Sequence, residues 1–289
     1  MKRFLINFIC VFIPSKRIRR ILRATSWGKK KLRLKSAQRQ IVNILSHKMW
    51  LVNNNDIWTL PNGAKFYCPQ YPWDFIQNIL VNKNEFFEQD ILEELRKYIP
   101  QNAVILDVGA NIGNHSIYWA GTINSSKIHC FEPVQATFSM LLKNIELNKL
   151  QHIIIPHNIA LGRSSSVAEI LVQRPDNLGG TSIKTTAEDK SKFSMKIEAL
   201  DGMDLGLDRI DFIKIDVEGF ELETLVGMKK TIEKYRPTIF VEAFDKGLIS
   251  KLPKGFTYGA PAVKEFFRNL DYKKPIPFES YNWLFIPNK

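Results

Sequence analysis

The sequence predicts an α/β fold built around a parallel β-sheet. Short apolar runs with strand character alternate with segments whose apolar residues recur at helical spacing. The clearest run, 104–108, leads into Gly109 and Gly113 and then into a helical pattern. The chain has 289 residues, 45% of them hydrophobic, which suffices for one such domain with a smaller appendage.

The N-terminal part of the chain predicts a separate layer of helix and hairpin. The predicted divisions are a basic arm (1–50), a hairpin and helix layer (51–100) and the main domain (101–289). Helical spacing covers 36–48, and two apolar runs then flank Asn62-Gly63, a strong hairpin signal. A further helix is predicted from Asn84 to Pro100, with Glu85 and Glu88 in its first turn.

The sequence of the main domain predicts five parallel strands, an inserted hairpin and a final strand. The parallel strands are expected at 104–108, 127–132, 152–157, 210–217 and 237–243. Helices are expected after Pro133, near Glu218 and after Pro261, because apolar residues follow each at helical spacing. The hairpin is expected within 165–199 and the last strand at 281–286.

The glycine turn indicates the kind of ligand. Its order is Asp107-x-Gly109-x-Asn111-x-Gly113, which lacks the Gly-x-Gly-x-x-Gly of a dinucleotide site. A carboxylate beside the turn suits a cation better than a pyrophosphate, because like charges repel. Glu132 closes the next strand and suits a ribose diol. S-adenosylmethionine carries an ammonium, a sulfonium and a ribose, so it matches both of these features.

Residues 104–116 resemble the first motif of class I S-adenosylmethionine-dependent methyltransferases. Together with 211–219, they are similar to the FkbM family over roughly residues 57–245. The resemblance implies a Rossmann-like, mostly parallel seven-stranded sheet with helices on both faces and an antiparallel last strand. It also implies methyl transfer to a hydroxyl, often of a sugar in a secondary metabolite or a bacterial surface glycan. The cofactor-binding residues expected are Asp107, Gly109, Asn111, Gly113, Glu132 and Asn158, the last beside the adenine.

Three carboxylates at strand ends are candidates for the catalytic base. Ligands of open α/β sheets bind outside the carboxyl ends of strands, where Asp216, Glu218 and Glu242 stand. We rank them in that order, and Asp216 could instead hold the ammonium of the donor. No run has the spacing of a metal site. The Asn/Asp-Pro-Pro-Tyr motif of amino-group methyltransferases is absent after the fourth strand, which favours an oxygen acceptor.

The net charge of +12 belongs to the N-terminal arm. Residues 1–50 carry 14 of the 41 Lys and Arg and no acidic residue, leaving 27 basic residues against all 29 acidic ones. An apolar stretch of ten residues, 4–13, is about half the length that spans a bilayer. A basic amphipathic pattern follows it, so we expect residues 1–35 to bind an anionic membrane surface.

Other interpretations of the arm and of the domain remain open at this point. The arm could cap the domain, or bind RNA phosphates in an RNA methyltransferase. Apart from Trp27 it lacks stacking aromatics interleaved with its basic residues, which makes nucleic acid the weaker choice. A non-catalytic membrane scaffold with this fold is the third possibility. Cys10, Cys68 and Cys130 are scattered and odd in number, which favours a reducing, cytoplasmic location, with the protein peripheral on the inner membrane face.

Overall fold

The computed structural model describes residues 31–171, 192–243, 259–278 and 281–288. The chain divides into two compact units. Of the described residues, one unit contains those from 31 to 58 together with Tyr67–Lys83, and the other contains Thr59–Phe66 and those from Asn84 onward. The arm boundaries predicted from the sequence, at 50 and 100, stay predictions.

The described part of the first unit contains two helices. Helix α1 (Lys31–Asn53) is longer than the 36–48 predicted, and helix α2 (Phe75–Asn82) was not predicted. The Asp74 carboxylate accepts the Gln77 N–H at 2.9 Å and caps α2. The side chains of Leu51, Tyr71 and Leu80 are fully buried and form the centre of this unit.

The hairpin predicted around Asn62-Gly63 is present. Strand β1 (Ile57–Thr59) pairs with β2 (Lys65–Tyr67) as a two-stranded sheet. Gly63 has φ of 90°, a conformation that glycine adopts without steric cost.

The prediction of a helix from Asn84 is wrong for residues 84–88. Residues 84–88 form a loop, and helix α3 spans only Gln89–Leu95, followed by a 3₁₀ turn at Arg96–Tyr98. The Asn114 side chain accepts the Phe87 N–H at 3.0 Å and donates to the Phe87 carbonyl at 2.9 Å. A tertiary partner therefore satisfies the backbone groups that a helix would have used.

The second unit is built on a mostly parallel seven-stranded sheet, which confirms the prediction. Its strands run in the order β11-β12-β10-β9-β3-β4-β5. Strand β12 is antiparallel to both of its neighbours, as the resemblance implied for the last strand. The bounds are β3 Val104–Val108, β4 Lys127–Phe131, β5 Ile154–His157, β9 Phe212–Ile215, β10 Thr238–Glu242, β11 Ile276–Phe278 and β12 Asn282–Phe285.

Helices cover both faces of this sheet. Adjacent strand residues point to opposite faces, so Phe212 and Ile213 of β9 contact different helices. The Phe212 ring lies 5.5 Å from Trp119 of helix α4, whereas Ile213 packs with Leu225 of α6 and Phe267 of α8. The bounds are α4 Asn114–Thr122, α5 Gln135–Leu147, α6 Glu221–Gly227, α7 Lys229–Tyr235 and α8 Ala260–Arg268.

The predicted inserted hairpin is also confirmed. Strands β7 (Ser166–Leu171) and β8 (Lys192–Glu198) pair antiparallel, and the short β6 (Ala160–Leu161) adds to β8. The loop between β7 and β8 lies outside the described residues. Among the described helices, none is long and apolar enough to cross a membrane.

A pair of helical glycines provides a test of this packing. A Cβ on Gly227 would lie 1.8 Å from the Gly162 carbonyl oxygen, whereas a Cβ on Gly121 would meet nothing within 4 Å. We expect Gly227→Ala to lower the free energy of unfolding by at least about 1–3 kcal/mol, since backbone must shift. Gly121→Ala should leave it unchanged or raise it by about 0.5–1 kcal/mol. Denaturant unfolding measures both, and equal effects would contradict the close approach of β6 and α6.

Candidate active site

The glycine turn brings the ends of two adjacent strands into contact. Gly109 follows β3 with φ of 79°, and Gly113 precedes α4 with φ of 87°. A Cβ on Gly109 would lie only 1.8 Å from the main-chain oxygen of Asp216 at the end of β9. Both the backbone angle and the close approach therefore require glycine at position 109.

Glu132 lies where the sequence placed it, directly after β4, and it supports the turn. Its carboxylate accepts the N–H of Asn111 at 3.0 Å and that of Val134 at 2.8 Å. Its side chain is nearly buried, and burial raises its pKa to about 7 despite these two backbone donors. Each carboxylate oxygen retains further acceptor capacity for a ligand hydroxyl.

A cleft opens above these groups at the carboxyl ends of β3, β4 and β9. It contains about 630 Å³ of space, part of it open to solvent. Its walls are apolar, and three carboxylates, those of Glu132, Asp216 and Glu218, line it together with Gly109 and Asn111. Its described lining contains no Lys, Arg or His. The apolar side chains are Val108, Phe131, Pro133, Val134, Ile159, Ala160, Leu161, Val217 and Phe220.

Asn158 stands beside this cleft with its donor already engaged. Its Nδ2 donates to the main-chain oxygens of Glu132 at 2.9 Å and of Pro133 at 3.2 Å. The next three residues, 159–161, line the cleft, but the Asn158 side chain is not among the lining groups. These bonds hold the backbone that carries the Glu132 carboxylate.

A buried lysine lies beneath the glycine turn. The Nζ of Lys214 donates to the Gly109 carbonyl at 2.9 Å and lies 3.3 Å from Asp216 and 3.5 Å from Asp107. Burial by itself would lower the pKa of Lys214, but the carboxylates of Asp216 and Asp107 outweigh it, so the pKa is raised. The lysine is therefore a fixed positive charge.

The Asp107 side chain is fully buried and does not line the cleft. Its Oδ2 accepts the Ser116 hydroxyl at 2.5 Å, and its fully buried Oδ1 has the Lys214 ammonium at 3.5 Å without a geometric hydrogen bond. Its contacts in the structure connect α4 to β9. The expected direct contact of this carboxylate with a cofactor stays a prediction.

The three catalytic candidates lie at one end of the sheet in different environments. Asp216 and Glu218 line the cleft, Glu218 with φ of 50°. Glu242 ends β10, next to β9 in the sheet. Burial raises its pKa to about 9, and the negative charges of Asp216, Glu218 and Glu88 add to the rise while Lys214 opposes it. A carboxyl with that pKa is mostly protonated at neutral pH.

Glu88 is a further carboxylate that acts on this end of the sheet. The sequence predicted it in the first turn of a helix. It adopts φ of 58°, and a carboxylate oxygen lies 3.1 Å from Nε2 of the buried His115. Its charge acts on both Lys214 and Glu242. No local signal identifies it, because the contact depends on the Asn114 clamp on residue 87, which is a tertiary interaction.

Metal-binding geometry is absent from the part of the chain that the structure describes, where no group of three or more His, Cys, Asp or Glu is arranged to hold an ion. Cys68 and Cys130 are both fully buried.

The buried lysine supports a prediction about stability. We expect Lys214→Met to lower the free energy of unfolding by about 3–5 kcal/mol, because it leaves the Asp107 carboxylate buried without its cation. The control is Lys196→Met, whose exposed pair with Glu198 should contribute less than about 1 kcal/mol. Chemical denaturation measures both, and a similar small effect at each position would contradict a supporting role for Lys214.

Comparison with known proteins identifies the family. Methyltransferase sdnD of Sordaria araneosa is 29% identical over 179 residues, covering 51% of this chain and 68% of sdnD. Hexuronic acid methyltransferase AglP of Haloferax volcanii is 30% identical over 150 residues, covering 50% of this chain but only 58% of AglP, less than two thirds of its length. A crystal structure of a methyltransferase FkbM from Methylobacillus flagellatus aligns with 73% of this chain and 54% of its own at 15% identity and a TM-score of 0.46.

A family model, the methyltransferase FkbM domain, matches residues 107–273, more than half of the chain and the whole span from the glycine turn to the segment after α8. This match confirms the resemblance inferred from the sequence, and the strand order is that expected of a class I methyltransferase. The chain belongs to the FkbM family of methyltransferases.

Proposed function

We propose that the protein is an S-adenosylmethionine-dependent O-methyltransferase whose acceptor is a sugar hydroxyl of a bacterial surface glycan or a related metabolite. The observation that carries the proposal is the cleft beside the glycine turn, with three carboxylates and no described cation in its lining. Such a site attracts a positively charged ligand and repels a pyrophosphate. The name of AglP, a hexuronic acid methyltransferase, supports an acceptor of the sugar class.

The residues present fit S-adenosylmethionine. Glu132 offers its carboxylate to the ribose diol, and the apolar walls suit the adenine. We propose that the amide oxygen of Asn158 accepts from the adenine amino group, since its nitrogen is engaged with backbone. The bound donor supplies an electrophilic methyl group. Gly109 permits close approach of the backbone, and Asp216 and Glu218 supply negative charge to the cationic centres.

The electrostatics favour Glu242 as the base that takes the proton from the acceptor hydroxyl. Asp216 lies 3.3 Å from the Lys214 ammonium, and this ion pair holds its carboxylate in the lining of the cleft, where it can meet a cationic group of the donor. Glu242, with a pKa of about 9, holds a proton more strongly once it has accepted one. We therefore propose Glu242 first, with Glu218 and Asp216 in the donor site, which reverses the order expected from the sequence.

We further propose that the enzyme works in the cytoplasm and lies peripherally on the inner face of the membrane through residues 1–35. The support for this is the absence of acidic residues before Asp56 together with 14 Lys and Arg in residues 1–50. Residues 1–30 lie outside the part of the chain that the structure describes.

The pKa of Glu132 predicts how donor binding depends on pH. As the pH falls through about 7, the carboxylate gains a proton and loses acceptor capacity for the ribose diol. We expect the affinity for S-adenosylmethionine to fall up to about tenfold per pH unit below that value. Calorimetric titration of the wild type across this range measures the dependence.

The matched control for that titration is Glu132→Gln. Glu221 also has a pKa of about 7, so only the loss of the pH dependence in Glu132→Gln assigns it to Glu132. This variant should bind the donor at least about tenfold more weakly at alkaline pH. A pH-independent wild-type affinity would contradict the ribose contact, and absent binding in well-folded wild type would overturn the proposed function.

The base assignment predicts a second pH effect, on turnover. The wild-type rate should rise with pH toward about 9, because only ionised Glu242 can accept a proton. Glu242→Gln should lower kcat by about 10²–10⁴-fold without changing donor affinity. Asp216→Asn is the control and should instead weaken donor binding. Turnover is measured as formation of S-adenosylhomocysteine with a panel of glycans that includes hexuronic acids. A wild-type kcat in Glu242→Gln would exclude Glu242 as the base.

A further inference from the structure

Helix α1 exposes an apolar stripe that the proposed chemistry does not use. Its members recur at spacings of three, four and three residues and cover about 80° of the helix circumference, at about 100° per residue. The exposed fractions are 59% for Val42, 48% for Leu45, 67% for Met49 and 59% for Val52.

The stripe adjoins the face by which α1 packs in its own unit, since Ile41 lies about 20° from Val52 on the helical projection. Ile41 and Ile44 are half-buried and Leu51 is fully buried, so the helix has one apolar face inside and a second outside. A continuous row of exposed large apolar side chains on a charged protein indicates a binding surface.

The charge on this helix points to the kind of surface that it meets. Among its 23 residues are five Lys and Arg and no Asp or Glu. On a helical projection the exposed Arg39 lies about 60° from Val42, at the edge of the stripe. An apolar stripe with Arg39 at its edge, on a helix without acidic residues, is complementary to an anionic bilayer, where the stripe enters the acyl boundary and the cation meets the headgroups.

Exposed aromatic side chains in the same unit fit that surface. Trp50, Trp73 and Phe75 are exposed by 42%, 37% and 58%. Trp is enriched where a protein meets the headgroup region, because its ring is apolar and its N–H is polar.

A second copy of the chain is the less suitable occupant. The spacing of the stripe equals that of a coiled-coil seam, but each of two paired helices would carry five Lys and Arg and no acidic residue, and of these five only Lys48 is described in an ion pair, with Asp56 at 3.0 Å. Like charges across a helix pair oppose association, whereas an anionic bilayer removes the repulsion.

We propose that the stripe formed by Val42, Leu45, Met49 and Val52 is a membrane-docking surface that inserts into an anionic lipid bilayer. This proposal rests on the membrane association proposed above for residues 1–35. It adds a second contact with the bilayer, made by described residues of α1. It is independent of the methyl transfer chemistry.

Vesicle co-sedimentation of the full chain tests the proposal. The wild type should sediment with vesicles containing about 30% anionic lipid, weakly with neutral vesicles, and less at high salt. Leu45→Gln/Met49→Gln should bind anionic vesicles at least about tenfold more weakly. Arg39→Gln should bind about fivefold more weakly.

The matched control replaces two exposed apolar residues of the other unit, Leu142→Gln/Val167→Thr, and should bind like the wild type. Circular dichroism confirms that each variant is folded. Absent wild-type binding would overturn both membrane proposals. If Leu45→Gln/Met49→Gln binds vesicles as the wild type does, the proposal for the stripe is overturned and that for residues 1–35 is not. A wild-type dimer in solution that this variant converts to monomer would likewise overturn the proposal for the stripe. Donor calorimetry reports separately on the proposed function.

Discussion

The site depends on one buried interaction, the Lys214 ammonium held between Asp107 and Asp216 with the Gly109 carbonyl as its hydrogen-bond acceptor. Asp107 and Lys214 are paired in register on β3 and β9, so the lysine stands at the junction of the two strands from which the cleft opens. A buried charge is costly unless it is compensated. The glycine turn and the end of β9 must therefore stay together, and the shape of the donor cleft follows from that requirement.

The lysine also sets the electrostatic character of the sheet edge. It forms ion pairs with the two carboxylates nearest to it, those of Asp107 and Asp216. Asp216 is the paired acid, whereas the pKa of Glu242 rises to about 9 under burial and the charge of neighbouring carboxylates. Two carboxyl groups at the ends of adjacent strands thus acquire different properties, one suited to a cation and the other to a proton.

The two units of the chain differ in charge. Residues 1–50 carry 14 Lys and Arg and no Asp or Glu, and the acidic groups of the site belong to the second unit. The membrane association that we propose rests on this basic region and on the exposed apolar row of α1.

The sequence by itself determined the sheet, the glycine turn, the position of Glu132 and the family, because strand periodicity, glycine spacing and the carboxyl ends of parallel strands are local features. It did not determine which carboxylates line the cleft. Asp107 faces inward toward Lys214, and Glu88 reaches His115 only because Asn114 holds residue 87 out of a helix. Side-chain direction and proton affinity depend on partners more than 20 positions away in the chain, and only the tertiary structure brings those partners together.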